Sequence, residues 1–170
     1  MTSQNEKYRR GGRAGRAEEH EFPKGKAGLV LCRVCNIVYF KKSWHHNLRR
    51  HPNLREDLHV SFTICPACRT IQNKQYEGRI TIKNIPSASR ANLAALIHAF
   101  TTRAYQKDPL DRLIQVKETR AGLEVTTTEN QLATKLAKKI CEVFKKGIIR
   151  IAYSHGPAKV ADVTVTFPSP

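Results

Sequence analysis

Two cysteine pairs, Cys32-Arg33-Val34-Cys35 and Cys65-Pro66-Ala67-Cys68, decide the fold of the first half of the chain. Each pair has two residues between its cysteines, a spacing at which one tight turn points both sulfurs at the same metal ion. The pairs are 29 residues apart, and they follow an apolar run at 29–31 and an alternating segment at 59–64. This order of strand, cysteine turn, strand and cysteine turn predicts a zinc ribbon.

The predicted ligands of the zinc ion are Cys32, Cys35, Cys65 and Cys68. In zinc-finger peptides such a metal contributes on the order of 10 kcal/mol to folding, which a ribbon with few apolar residues needs. Paired disulfides are one alternative, but they require an oxidising compartment, for which we find no targeting signal. Redox-active pairs are another, but they are expected at a helix start in a thioredoxin-like pattern, which neither pair shows.

A site with two cysteines and two histidines is a third alternative, because His45, His46 and His51 follow the first pair. Ten residues separate Cys35 from His46, whereas such fingers place about twelve there, and the second pair would have no role. We therefore expect the four-cysteine site. The fifth cysteine, Cys141, lies in a helical pattern and is predicted to be a small core residue.

The charge of the chain indicates a polyanionic partner. In 170 residues, 30 Lys and Arg stand against 14 Asp and Glu, a net charge of +16 that favours nucleic acid or an assembly containing it. No apolar stretch approaches the roughly 18 residues of a membrane span. The basic N-terminus also lacks the apolar region of a secretory signal. We therefore expect a cytoplasmic protein with no membrane partner.

Three segments are predicted from composition: a basic Arg/Gly-rich tail at 1–28, a zinc ribbon with a basic insertion at 29–86, and an α+β domain at 87–170. Lys and Arg outnumber acids in each of them, by seven to four, ten to three and thirteen to seven. Basicity is thus spread over the chain and is densest in the ribbon. A protein of this kind is expected to lie along its partner rather than be tethered by one tail.

The insertion between the cysteine pairs mixes aromatic, basic and histidine residues, a composition that suits RNA. Ser43 could begin a short helix that Pro52 helps to end. Two interpretations stay open, since Trp44 and Leu48 can form a small core of the insertion or can join the basic residues in binding. The predicted RNA-binding residues here are Lys41, Lys42, Trp44, His45, His46, Arg49 and Arg50.

The tail has almost nothing to bury, so it is predicted to be disordered when free. Arg-Gly segments commonly become ordered on RNA, where guanidinium groups meet phosphates or stack on bases. The alternative is a flexible solubilising tail. The predicted RNA-binding residues of the tail are Arg9, Arg10, Arg13 and Arg16.

The second half of the chain alternates helical and strand patterns. A strand at 79–83 is followed by a helix from a Ser89 cap to Asp108, and a capping box at 128–131 opens a second helix that Gly147 ends. Strand pairs are predicted at 113–118 with 123–127 and at 148–153 with 160–167. The order α-β-β-α-β-β predicts an antiparallel α+β domain with both helices on one face. The lysines of the second helix are equally consistent with a face that binds the phosphate backbone of a nucleic acid and with a solvated helix surface.

The cysteine pairs, the run Lys107-Asp108-Pro109-Leu110-Asp111-Arg112 and the segments 122–125 and 131–137 resemble the N-terminal part of the nonsense-mediated-decay-three family. The resemblance covers about residues 29–167. Members of that family are export adaptors of the large ribosomal subunit. The resemblance implies zinc at the four cysteines and binding to the large subunit. Family members have more cysteine pairs and, in eukaryotes, transport signals. A compact relative of the family therefore fits better than an exporter. Such a relative, which could be bacterial, would act in ribosome assembly, quality control or hibernation.

We therefore expect a non-enzymatic, zinc-binding protein that binds ribosomal RNA and proteins of the large subunit, without a small-molecule substrate. A zinc-finger DNA-binding regulator is the alternative. No helix shows the Arg, Asn and Gln pattern of a base-reading helix, which favours RNA. An enzyme would need an open position on the metal, and four protein thiolates leave none.

Overall fold

A four-stranded sheet carries the first cysteine pair, and the second pair follows its last strand in sequence. The computed structural model describes residues 9–10, 28–49, 59–145, 147–154 and 159–168. The first unit contains β1 (Arg9–Arg10), β2 (Gly28–Cys32), β3 (Val38–Phe40), β4 (Ser43–His45), β5 (His59–Thr63), α1 (Pro66–Gln72) and β6 (Gln75–Tyr76). The sheet order is β4-β3-β2-β5, with β2 and β5 parallel, and β1 pairs with β6.

A five-stranded sheet and two helices form the second unit. Its elements are β7 (Gly78–Lys83), α2 (Arg90–Lys107), β8 (Leu113–Thr119), β9 (Gly122–Thr127), α3 (Asn130–Phe144), β10 (Ile148–Tyr153) and β11 (Ala161–Thr166). The strand order is β10-β11-β7-β9-β8. The predicted α+β class is therefore confirmed, with a four-cysteine, zinc-ribbon-like unit ahead of the second sheet.

The second sheet is mixed, whereas the sequence predicted an antiparallel one. Strand β7 pairs antiparallel with β9 on one side and parallel with β11 on the other. Helix α3 crosses the sheet so that β10 runs in the direction of β9, and β11, antiparallel to β10, then runs parallel to β7. The predicted ribbon segment 29–86 includes β7, but the structure places β7 as the middle strand of this sheet. Local alternation identifies a strand and does not identify its partners.

One core joins the second sheet to both helices. The largest fully buried side chains of this core come from alternate strand positions and from the two helices: Ile80, Ile82, Val125, Val163, Val165, Leu93, Ile97, Leu136 and Ile140. Both helices therefore pack on the same face of the sheet. Helix α3 approaches β7 closely at Gly78, which has no side chain. A Cβ atom at this position would lie 2.5 Å from Cβ of Ala133. Cys141 is half-buried against this core.

Both long helices begin where the sequence predicts, but without the predicted caps. Ser89 makes no side-chain hydrogen bond to α2. Glu129, not Thr128, precedes α3, and it makes no such bond either. The Thr128 hydroxyl is instead bonded to the segment before β8. Helix α3 ends with Lys145 in the left-handed region at φ 54°, two residues before the predicted stop at Gly147.

Several predictions concern residues that the structure does not describe. Of the tail 1–28, it describes only the backbone of Arg9–Arg10 and residue Gly28. The predicted contacts Arg13, Arg16 and Arg50 lie outside the described residues. The side chains of Arg9 and Arg10 lie outside them as well. Within the described ranges, no helix has the length and apolarity needed to cross a membrane.

Candidate metal centre

The four paired cysteines meet where β2 and β5 end. Cys32 is the last residue of β2, and Cys35 lies in the turn that follows. This turn is tight because the N–H of Asn36 donates to the carbonyl of Cys32 at 2.9 Å and Asn36 has φ 61°. Cys65 is the N-cap residue of α1, and Cys68 lies in the first turn of that helix. The parallel pairing of β2 with β5 brings the two turns to the same end of the sheet.

The sulfur positions fit one metal ion. All four Sγ atoms lie within 4.8 Å of one another, and those of Cys35 and Cys65 are 3.7 Å apart. Four sulfurs around a tetrahedral ion, each bonded at about 2.3 Å, are separated by about 3.8 Å. Cys32, Cys65 and Cys68 are buried and Cys35 is half-buried. The predicted ligands are therefore positioned to bind a metal ion that is shielded from solvent on most sides.

Backbone N–H groups favour a thiolate at one of the four positions. The N–H of Cys65 donates to Sγ of Cys32 at 3.3 Å. Burial raises the pKa of Cys32, but the N–H groups of Cys65, Cys35 and Val34 outweigh burial and lower this pKa to about 6. Burial raises the pKa of Cys65, and it raises the pKa of Cys68 to about 11. Metal binding to this cluster therefore releases protons.

An arginine of the second unit reaches the same sulfurs. Nη2 of Arg112 donates to Sγ of Cys35 at 3.0 Å, and Nη1 donates to Sγ of Cys68 at 3.4 Å. Burial lowers the pKa of Arg112, but its hydrogen bond to Cys35 and the charges of Cys35, Cys68 and Cys65 raise the pKa overall. Four thiolates around a divalent cation carry a net charge of −2, which the guanidinium partly offsets.

Contacts on three sides hold Arg112 in place. Its Nε donates to the carbonyl of Pro109 at 2.9 Å. Its backbone N–H donates to the Thr128 hydroxyl at 2.8 Å, and its carbonyl accepts from the N–H of Thr128 at 3.0 Å. The guanidinium carbon lies 5.3 Å from the ring centroid of Tyr105. Thr128 thus acts at the metal centre rather than as the predicted helix cap.

His46 extends this set of contacts to the insertion. Its Nε2 donates to the carbonyl of Tyr105, and the two rings meet edge to face with centroids 4.6 Å apart. We name the contacts of His46, Tyr105, Arg112 and Thr128 the arginine bridge. Sequence reasoning missed the bridge, because Arg112 lies 77 and 44 positions from the cysteines it contacts. The only signal was the run at 107–112, which served for the family resemblance alone.

The predicted helix at Ser43 is wrong, because Ser43–His45 forms β4, paired with β3. Lys41 and Lys42 are the two turn residues between these strands, and their φ angles are 48° and 64°. Positive φ at both central residues is the geometry of a type I′ hairpin turn, which matches the twist of paired strands. Both lysines are exposed. The ammonium of Lys41 lies 5.4 Å from the ring centroid of Phe40.

The other predicted binding residues of the insertion fall into different environments. Trp44 is only 6% exposed and packs on Tyr39, with ring centroids 5.3 Å apart, so the prediction that it contacts RNA is wrong. It belongs to the core beneath the cysteines, whereas the alternative interpretation placed it with Leu48 in a small core of the insertion. His45 donates from Nε2 to the carbonyl of Phe40 at 3.1 Å. Arg49 is exposed.

A scan against protein-family models and a comparison with curated proteins give no match to this chain. The resemblance to the nonsense-mediated-decay-three family therefore stays a prediction.

Proposed function

We propose that the protein is a zinc-binding, non-enzymatic protein that binds ribosomal RNA on the large ribosomal subunit, in the cytoplasm. One observation carries the proposal. The described residues of the first unit, 28–49 and 59–76, include no Asp or Glu. Over the same ranges they hold six cationic side chains, at Arg33, Lys41, Lys42, Arg49, Arg69 and Lys74. Described surfaces that carry basic and no acidic side chains suit a phosphate backbone.

Zinc is the metal we infer for the centre. A tetrahedral set of four thiolates suits zinc, which has no geometric preference of its own and bonds strongly to sulfur. Cys32, Cys35, Cys65 and Cys68 would all be occupied as ligands, so the ion has a structural role. When bound, it fixes the two cysteine turns against each other.

The turn at Lys41 and Lys42 supports a phosphate contact. Type I′ turns favour Asn and Gly, because other residues are strained by about 1 kcal/mol or more at positive φ. Two lysines at these positions therefore oppose the local backbone preference. They set two charges at the tip of a rigid hairpin, where a polyanion can reach them.

Sedimentation tests the proposal directly. The purified protein, with its zinc content measured, is mixed with large ribosomal subunits in a gradient at about 50 mM and about 200 mM salt. We expect co-sedimentation at low salt that weakens at high salt. Isolated ribosomal RNA and duplex DNA are then compared as competitors. Protein that stays at the top of the low-salt gradient contradicts the proposal, and better competition by DNA favours a DNA-binding regulator.

A pair of double variants locates the binding surface. Lys41→Ala with Lys42→Ala should weaken binding to ribosomal RNA by about tenfold and lower the salt slope by about 2. Lys135→Ala with Lys138→Ala removes two exposed charges from α3 and serves as the matched control. Equal losses in the two variants would show that binding follows net charge and not the hairpin.

A further inference from the structure

Strands β2, β3 and β5 present an apolar face that is not the face that packs beneath the cysteines. Strand register pairs Leu29 with Val60 and Leu31 with Phe62, and partners in register point to the same side of a sheet. Val38 of β3 is opposite Leu31 and joins them. The other face carries the buried core of the unit, Val30, Cys32, Tyr39 and Trp44. We name the side with Phe62 the outer face.

Exposure on the outer face increases towards β5. Val38 is buried, and Leu29 and Leu31 are half-buried. Val60 is 43% exposed and Phe62 is 58% exposed, and both lie on the edge strand β5. Phe62 is the most exposed large apolar side chain of the described first unit. The ring of Phe62 is therefore exposed to solvent on the sheet, near the end of β5 and three residues before Cys65.

The described residues of the first unit place a basic side chain beside β5 and include no acidic one. The exposed Arg33 follows the strand that pairs with β5, and its N–H donates to the carbonyl of Thr63 at 2.8 Å. Within residues 28–49 and 59–76 no carboxylate is present to oppose the charge of Arg33. The complementary partner is anionic and has flat apolar surfaces, and an unpaired nucleotide of RNA combines both.

We propose that the outer face binds single-stranded RNA, with one unpaired base stacked on the ring of Phe62 and Arg33 near the adjacent phosphate. This rests on the proposed function and narrows it to unpaired segments of the RNA. Stacking on an aromatic ring tolerates any base, so the face selects for single strands rather than for a sequence. A β-sheet that presents an aromatic ring to unpaired bases is a known solution to this problem in other RNA-binding folds.

Three substitutions at one position separate stacking from apolar contact. Phe62→Ala removes the ring, Phe62→Leu keeps an apolar side chain without a ring, and Phe62→Tyr keeps the ring. Tyr153→Ala is the control, because Tyr153 is 50% exposed on β10, an edge strand of the other sheet. Zinc content and the fluorescence of buried Trp44 report whether each variant is folded. Wild type and variants are titrated by fluorescence anisotropy.

The probe is a labelled single-stranded RNA of about ten nucleotides, within the range that one small binding unit covers. A second probe of the same length and charge has abasic nucleotides throughout. We expect Phe62→Ala and Phe62→Leu to weaken binding of the first probe by about 5- to 150-fold, the worth of one stacked base. Phe62→Tyr and Tyr153→Ala should bind like wild type. The abasic probe should bind all five proteins equally weakly, with the same salt slope.

Each contrary result has a definite meaning. Wild-type affinity in Phe62→Leu would overturn the proposal and would indicate an apolar protein contact. Equal losses in Phe62→Ala and Tyr153→Ala would also overturn it. If folded wild type binds large ribosomal subunits but no variant differs from it on the single-stranded probe, the stacking site fails and the proposed function stands. If folded wild type binds neither subunits nor probes, the proposed function fails first.

Discussion

The guanidinium of Arg112 donates to Sγ of Cys35 at 3.0 Å and so joins the second unit to the metal centre of the first. The four cysteines positioned to bind a metal come from the ribbon-like unit, and the arginine bridge adds a partner held by Tyr105 and Thr128. A hydrogen bond to a ligating sulfur stabilises the thiolate and fixes its orientation. The centre therefore depends on residues from both units.

The first prediction concerns this hydrogen bond. Arg112→Ala should weaken metal binding by about 10- to 100-fold, the usual cost of losing a partner of a metal ligand. Arg112→Lys keeps a charge but lacks the planar fork whose two nitrogens each reach a sulfur, so its affinity should lie between those of the alanine variant and wild type. Competition against a chromophoric chelator measures each affinity. Arg103→Ala, an exposed arginine of α2, is the control. Equal affinities for Arg112→Ala and wild type would exclude a role of the bridge.

The second prediction uses the single tryptophan of the chain as a reporter of metal loading. Trp44 packs in the core beneath the cysteines, and this core depends on the metal-held turns. Chelation should shift its emission to longer wavelength as it becomes exposed. Far-ultraviolet circular dichroism should keep most of the helical signal, because α2 and α3 pack in a separate core. Emission that does not move on complete metal removal would show that this core is stable without the ion.

The third prediction concerns the strained hairpin. Replacing Lys41 by Asn and Lys42 by Gly gives the preferred residues of a type I′ turn and should raise the free energy of unfolding by about 1 kcal/mol. The same variant should bind ribosomal RNA more weakly, because two phosphate contacts are lost. Denaturant titration and anisotropy measure the two effects on one sample. A variant that is more stable and binds equally well would refute a binding role for this turn.

The fourth prediction concerns the close approach of α3 to β7. A Cβ at Gly78 would lie 2.4 Å from Oγ1 of Thr127 and 2.9 Å from the carbonyl oxygen of Glu129. Gly78→Ala should therefore cost about 1–3 kcal/mol of stability through overpacking. Gly147→Ala is the matched control, since its nearest neighbour would be Sγ of Cys141 at 3.1 Å. Thermal unfolding of the two variants compares them, and a smaller loss for Gly78→Ala than for Gly147→Ala would contradict the described packing.

The fifth prediction is a pH dependence at Asp111. Burial and the charge of Asp108 raise the pKa of this carboxyl, and Lys135 opposes them. The folded state then holds the proton more tightly than the unfolded state, so ionisation of Asp111 lowers stability as pH rises from the ordinary carboxyl pKa through the folded value. Asp111→Asn should therefore be more stable than wild type at pH 7. Denaturant titrations at several pH values should show this difference shrinking towards acid, and a destabilised Asn variant at pH 7 would contradict the sign.

Features encoded by short spacing were predictable from the sequence. The cysteine turns, both long helices and the strand pairs 113–118 with 123–127 depend on residues only a few positions apart. The place of β7 depends on β11, about eighty residues later in the chain. Arg112 and its sulfur partners are separated in the same way. Alternation and spacing carry no information on such distant pairings.

Trp44 illustrates a second limit. A tryptophan among lysines and histidines has the composition of an RNA contact and also that of a small core, and only its packing on Tyr39 decides between them. Phe62 is the reverse case, because it lies in an alternating run that resembles an ordinary strand. Its exposure follows from β5 being the edge of the sheet, which depends on the order of all four strands. The mixture of basic and aromatic residues predicts a binding surface, but it does not indicate which aromatic side chain is exposed to solvent.

The position of β7 has a consequence for the order of folding during synthesis. All four candidate metal ligands are synthesised by residue 68, whereas β7 receives its second neighbour only when residues 161–166 are available. Until then one edge of β7, with Ile80 and Ile82, lacks its final partner. A nascent chain or a proteolytic fragment that stops before β11 would expose an aggregation-prone edge in a chain that already holds all four candidate metal ligands.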